Sequence, residues 1–163
     1  MLKNCCLIVL LLLCAVPIAA QNKTQIPFVD QEVVKIQKSI RRLQVRERDL
    51  SDVSSEGART KAFYDKNEIR KISGEIFGET GKANVELFYQ NGKLIFVNRR
   101  QSDYDKIFGK IIKTTIQKFY FANDKLIRLI AGGKSVSQTT PEFSESKQQV
   151  LDLSNKILDN FKE

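Results

Sequence analysis

The chain has 163 residues, a formal charge of +8, three cysteines, one methionine, and neither histidine nor tryptophan. Cys5, Cys6, Cys14 and Met1 all lie in the first fourteen residues, so a chain trimmed after Ala20 has no sulfur and no imidazole. For that trimmed form, disulfide frameworks, thiol or imidazole metal sites, cysteine nucleophiles and a Ser-His-Asp triad are excluded.

Residues 1–20 have the three parts of an export signal. Lys3 is the charged start, Leu7 to Leu13 the apolar stretch, and Ala19-Ala20 the small residues that suit a signal peptidase. The expected location is the periplasm or the extracellular space. The less favoured variant is a lipoprotein cut before Cys14, because Leu13 is larger than the residue that cut prefers. Membrane attachment is expected only if Cys14 is lipidated. Residues 21–163 are the right length for one domain with its own core.

The first segment of that domain reads as an amphipathic helix over about 28–50. Val29, Val33, Ile36, Ile40 and Leu43 form one stripe, Leu50 falls on it a heptad later, and Pro27 with Asp30 marks the start. The stripe is expected to pack on the chain's own sheet. A homodimer seam through Val29–Leu50 is the alternative. Residues 51–58 follow as a polar linker.

Residues 59–131 then switch to strand patterning with a repeated device. Phe63-Tyr64 leads through Asp65-Lys66-Asn67 to Glu68-Ile69. Phe88-Tyr89 leads through Gln90-Asn91-Gly92 to Lys93-Leu94. Phe119-Tyr120 leads through Phe121-Ala122-Asn123-Asp124 to Lys125-Leu126. Asn91-Gly92 is a strong type I′ turn signal, because both residues accept positive φ. Each tyrosine is expected opposite an Ile or Leu.

Single hairpins are unstable alone, so three of them predict one antiparallel meander sheet of about six strands. Residues 101–110 are expected as the longest loop, and Gly132-Gly133 as the end of the sheet. A second helix over about 142–161 carries Val150, Leu153, Ile157 and Phe161. The predicted fold class is therefore α+β, a hairpin sheet flanked by an N-terminal and a C-terminal amphipathic helix.

The segment Phe88 to Leu94 resembles the aromatic-Tyr-x-Asn-Gly-Lys-Leu hairpins of small exported bacterial proteins of unknown function. More distantly, the string of hairpins over 62–130 is similar to MORN-type repeats, which are richer in glycine and more regular in period. The resemblance implies architecture and no activity.

Charge is concentrated in the sheet region. Residues 59–134 hold sixteen Lys/Arg against eight Asp/Glu, whereas residues 135–163 hold three against five. With Tyr120 opposite Leu126, Lys118 falls opposite Arg128, a like-charge pair that an anion would relieve. Lys71, Arg100, Lys118 and Arg128 with Tyr89 and Tyr120 (Tyr64 nearby) are therefore the candidate ligand-binding residues of a basic, aromatic sheet face. A register one residue different would scatter them. The expected partner is an anionic polymer or another envelope protein, with no nucleic acid.

Two motifs lead nowhere. Ala131-Gly132-Gly133-Lys134-Ser135 has Arg128 where a P-loop needs its first glycine. Ser102-Asp103-Tyr104-Asp105 lacks the glycine and closing glutamate of an EF-hand loop. No catalytic residue, metal or cofactor is assigned, and the expected function is that of a non-enzymatic exported binding or structural module. The alternative enzyme is a hydrolase working through paired carboxylates, with Glu75, Glu86, Asp103 and Asp105 as its candidate acids.

Overall fold

The computed structural model describes residues 18–105 and 109–162, with side chains described from residue 25 onward. Residues 1–17 of the expected export signal, Cys14 among them, lie outside the described residues. The fold is α+β: helix α1 (Ile18–Ser39), a short 3₁₀ turn (Ile40–Arg42), eight strands and helix α2 (Pro141–Asp159). The strands are β1 (Gln44–Leu50), β2 (Ala58–Asp65), β3 (Glu68–Gly78), β4 (Gly81–Gln90), β5 (Lys93–Tyr104), β6 (Ile111–Ala122), β7 (Lys125–Ala131) and β8 (Lys134–Val136). They pair in sequence order, each antiparallel to the next, as one meander.

The sheet has eight strands where about six are predicted, because both ends of the sequence pattern conceal one. Residues 44–50 are strand β1 and not the second half of a helix. Of the alternating charges of Gln44–Leu50, which resemble the wet side of a helix, the two acids meet opposite charges across the ladder, while Arg46 and Arg48 face Ala62 and Thr60. Glu47 lies opposite Lys61, with 2.7 Å between Oε1 and Nζ, and Asp49 lies opposite Arg59. Cross-strand pairs of this kind stabilise the ladder, and a charged outer strand protects the sheet edge from further pairing. Leu50 is buried at the end of β1, so the Val29–Leu50 stripe is not one continuous seam.

At the other end, Gly132-Gly133 does not close the sheet. Both glycines have positive φ (55° and 82°), as a two-residue type I′ turn requires, and they lead into β8. The helix over 18–39 also runs through Pro27, which was expected to start it. The proline forgoes one intrahelical bond there, since it lacks an N–H. Strand β5 extends through Tyr104 into the expected 101–110 loop, so that residues 105–110 separate it from β6.

The three central hairpins share one irregularity. The register shifts between Phe63 and Tyr64, between Phe88 and Tyr89, and between Tyr120 and Phe121. Each shift leaves one extra residue on the returning strand: Arg70, Ile95 and Ile127. Such bulges aim two consecutive side chains at the same side of the sheet. Ile95 and Phe96 accordingly share one core while Leu94 and Val97 belong to the other.

In the first two hairpins the tyrosine faces an apolar residue, Tyr64 opposite Ile69 and Tyr89 opposite Leu94. The third hairpin departs from the prediction. Phe121 faces Leu126 and Tyr120 faces Arg128, because Asn123-Asp124 is a two-residue turn with φ of 50° and 61°. Lys118 consequently lies opposite Ile130, and the expected like-charge pair does not form.

Each sheet face has its own core. Under α2, Tyr64, Ile72, Leu87, Tyr89, Val97, Phe119 and Leu129 pack against Phe143, Val150, Ile157 and Phe161. Under α1, Phe88, Ile95, Phe96, Tyr120 and Ile127 pack against Val29 and Ile36. Thr140 caps α2, its Oγ1 accepting from the Phe143 backbone N–H, and Pro141 stands at the first helical position, where no N–H is needed. No helix among the described residues is long and apolar enough to cross a membrane.

Candidate binding surface

Antiparallel register places side chains in rows across the sheet. One row on the α1 side runs Phe63, Lys71, Phe88, Phe96, Tyr120, Arg128. The next runs Lys61, Ser73, Glu86, Asn98, Lys118, Ile130, and the one beyond it Arg59, Glu75, Asn84, Arg100, Ile116. Five of the six candidate residues therefore share a face: Lys71, Arg100, Lys118, Arg128 and Tyr120.

Tyr89 does not. It lies on the opposite face, buried beneath α2, where its hydroxyl is 3.0 Å from Ser154 Oγ. Burial pushes that phenol well above the usual tyrosine range, and the Ser154 bond only partly offsets it. Tyr64 is on that side too, donating to the Phe161 carbonyl at 3.3 Å. Neither ring is available to stack on a ligand.

Burial and pairing divide the remaining five. Lys71 is 6% exposed and lies opposite Phe63, the bulge at Arg70 having shifted the register there. Its Nζ is 2.6 Å from Glu86 Oε1 and 5.1 Å from the centre of the Phe88 ring. The Glu86 carboxylate also accepts from Asn98 at 3.1 Å and from Gln37 of α1 at 3.5 Å. Burial pushes this carboxyl up, but the bonds from Lys71 and Asn98 and the lysine charge outweigh it, and the net shift is downward.

Tyr120 is buried under α1 and interacts with Asp30. Burial first, and then the Asp30 charge and hydrogen bond, raise its pKa, with Arg128 opposing them. Arg128 is half-buried across the ladder from it.

Arg100 and Lys118 differ from these. Both are exposed, on adjacent strands beyond the area that α1 covers, and neither has an ion-pair partner among the described residues. Arg100 faces Ile116, itself exposed, and Lys118 is the diagonal neighbour on the same face. Arg59, which the sequence reading passed over, completes this end of the sheet. It lies in the Arg100 row, exposed, with its guanidinium 5.8 Å from the Phe77 ring centre. Period-two alternation in β2 and β5 was the signal that could have placed it.

The candidate acids are engaged singly. Glu75 Oε1 accepts from Lys82 Nζ at 2.8 Å, and this bond raises the lysine pKa. Glu86 is taken by Lys71, and Asp103 Oδ1 accepts from Gln101 at 3.4 Å. Asp103 lies on the α2 side, away from Glu75 and Glu86. Among the described residues no group of three or more Asp or Glu side chains is placed to hold a metal ion. No protein-family model matches the chain, and neither a curated protein nor a solved structure is significantly similar to it.

Proposed function

We propose that the protein is an exported, non-enzymatic binding module that contacts an anionic polymer through the open end of its α1-side sheet face. The observation that carries this reading is the pair Arg100 and Lys118: two exposed cations without ion-pair partners among the described residues, on a hydrogen-bonded sheet where Lys71, Lys82 and Lys61 are each neutralised by a glutamate. Arg59 extends the array. Strand spacing puts it roughly 14 Å from Arg100, three ladders away, so the array suits a repeating polyanion better than one small ion. The leader pattern of residues 1–20 supports the exported part of the reading.

Binding of heparin and of poly-glutamate, measured across a salt series, tests it. Affinity should fall steadily as salt rises, since exposed charges are screened over roughly 8–10 Å at such ionic strengths. Reversing both charges, Arg100→Glu with Lys118→Glu, should weaken binding by about tenfold or more at low salt. Affinity indifferent to salt, or unchanged by the double reversal, sinks the proposal.

A further inference from the structure

The other face of the sheet holds a cation of a different kind. Arg99 lies on the α2 side, across from Val85 on β4 and Gln117 on β6. It is half-buried, with its Nε out of contact with solvent, and burial pulls its guanidinium below the usual arginine range. One Nη donates to Gln101 Oε1 at 3.2 Å, while the buried Nε has no acceptor. Among the described residues no carboxylate lies within ion-pair distance of it. Arginine cannot shed its charge at ordinary pH, so a partly desolvated guanidinium with an unmet donor, linked to the Asp103 carboxylate only through Gln101, is an energetic liability.

Arg99 opens onto a cleft of about 360 Å³ between the sheet and the middle of α2. Val53, Ile76, Ala83 and Leu153 supply its apolar walls, and Gln101 and Gln149 its amides. The volume is at the small end of the range for ligand pockets, and the lining is mixed, with Thr80, Lys82 and Arg99 beside the amides and the apolar side chains. The lysine beside it, Lys82, is tied to Glu75 on the opposite face, so the cleft offers a single positive charge.

We propose that this cleft is a binding site for a small amphipathic monocarboxylate, its carboxylate held by the Arg99 guanidinium and its hydrocarbon part lying against Val53, Ile76 and Leu153. The planar guanidinium fork matches a carboxylate in shape, and the charge of such a ligand equals the one it meets. A phosphate dianion would demand more positive charge than the cleft contains, and it would leave the apolar walls unused. Two sources share this chemistry: a medium-chain aliphatic acid, or the free C-terminus of an apolar peptide.

The test uses the trimmed protein, residues 21–163, with octanoate, octan-1-ol, acetate and N-acetyl-dileucine as probes. Arg99 side-chain NMR resonances and the thermal midpoint are the readouts. A carboxylate with an apolar tail should perturb the Arg99 Nε resonance and raise the midpoint, because a ligand bound only by the native state stabilises it. Octan-1-ol and acetate should each bind about tenfold more weakly or worse, since each lacks one half of the match. Tighter binding of octanoate than of N-acetyl-dileucine, or the reverse, keeps the site and identifies its source.

Arg99→Met removes a half-buried charge, so it should fold at least as stably as the parent and lose the carboxylate preference. Gln149→Ala, at an exposed helix position, leaves the fold intact and should weaken octanoate alone. The proposal is overturned if neither carboxylate perturbs Arg99, or if octan-1-ol binds as tightly as octanoate. Neither outcome touches the opposite face, so the polyanion reading stands or falls separately.

Discussion

Lys71 and Glu86 show how a candidate ligand residue becomes a structural one. Their 2.6 Å contact lies in a row that α1 partly covers, and Asn98 and Gln37 complete the carboxylate's partners. The lowered native pKa of Glu86 determines the direction of its pH dependence. The native state holds this proton less tightly than the unfolded chain, so the stabilisation is fully present above about pH 4.5. It is lost as acid takes the pH down through the lower native value. Urea midpoints measured from about pH 6 to about pH 3 should fall accordingly, and Glu86→Gln should fall less steeply. Lys71→Met should cost about 1–3 kcal/mol near neutral pH, since it leaves a half-buried carboxylate short of a partner, and it should also shrink the acid sensitivity. If Glu86→Gln has the same acid profile as the parent, the pair contributes nothing to it.

At the scale of strands and turns, close backbone approach matters as much as side chains. A Cβ placed on Gly81 would stand 2.3 Å from the Ser102 carbonyl oxygen, which belongs to the paired strand and cannot swing aside. Gly81→Ala should therefore destabilise by about 2 kcal/mol or more, read as a lower urea midpoint with the slope unchanged. A loss under 0.5 kcal/mol (roughly the scatter of neutral surface changes) would mean that the β4–β5 spacing can relax there.

The hairpins were legible in the sequence because their signals are local. Asn91-Gly92 forms the expected turn with φ of 51° and 72°, and Tyr64 and Tyr89 face Ile69 and Leu94 as the pattern suggested. The third hairpin misled because Phe119, Tyr120 and Phe121 are three aromatics in a row. Any adjacent two satisfy the motif, and only the two-residue turn decides between them. Strand β1 was hidden for a different reason. Its residues are polar and mostly exposed, and what makes them a strand is the ladder with β2, which lies beyond a loop.

On the scale of the molecule, the sheet separates two apolar layers that do not share residues. Ile36 of α1 is 2% exposed on one side and Ile157 of α2 is fully buried on the other. Truncating either to alanine should cost about 2–4 kcal/mol, the usual transfer and cavity loss for a buried isoleucine. The two side chains belong to separate clusters on opposite faces of the sheet, so the two losses should add to within about 0.5 kcal/mol in the double variant. A coupling above 1 kcal/mol, found in a double-mutant cycle from urea unfolding, would mean that the sheet transmits strain between its faces.

Composition, charge distribution, the central hairpins and the C-terminal helix follow from local chemistry: turn residues that accept positive φ, alternation at period two, and an apolar stripe at helical spacing. Which cations stay exposed is decided by tertiary structure alone. Bulges in the three hairpins, and a fourth irregularity between Asp103 and Tyr104, reset the register, and each reset moves a side chain to the other face or beside a different neighbour. Thus Tyr89 is buried under α2, Lys71 is bound to Glu86, Arg100 and Lys118 remain open, and Arg99, one residue before Arg100, is half-buried on the opposite side. Consecutive residues on a strand differ this much because the pleat sends them to opposite faces, and only packing determines what each face meets.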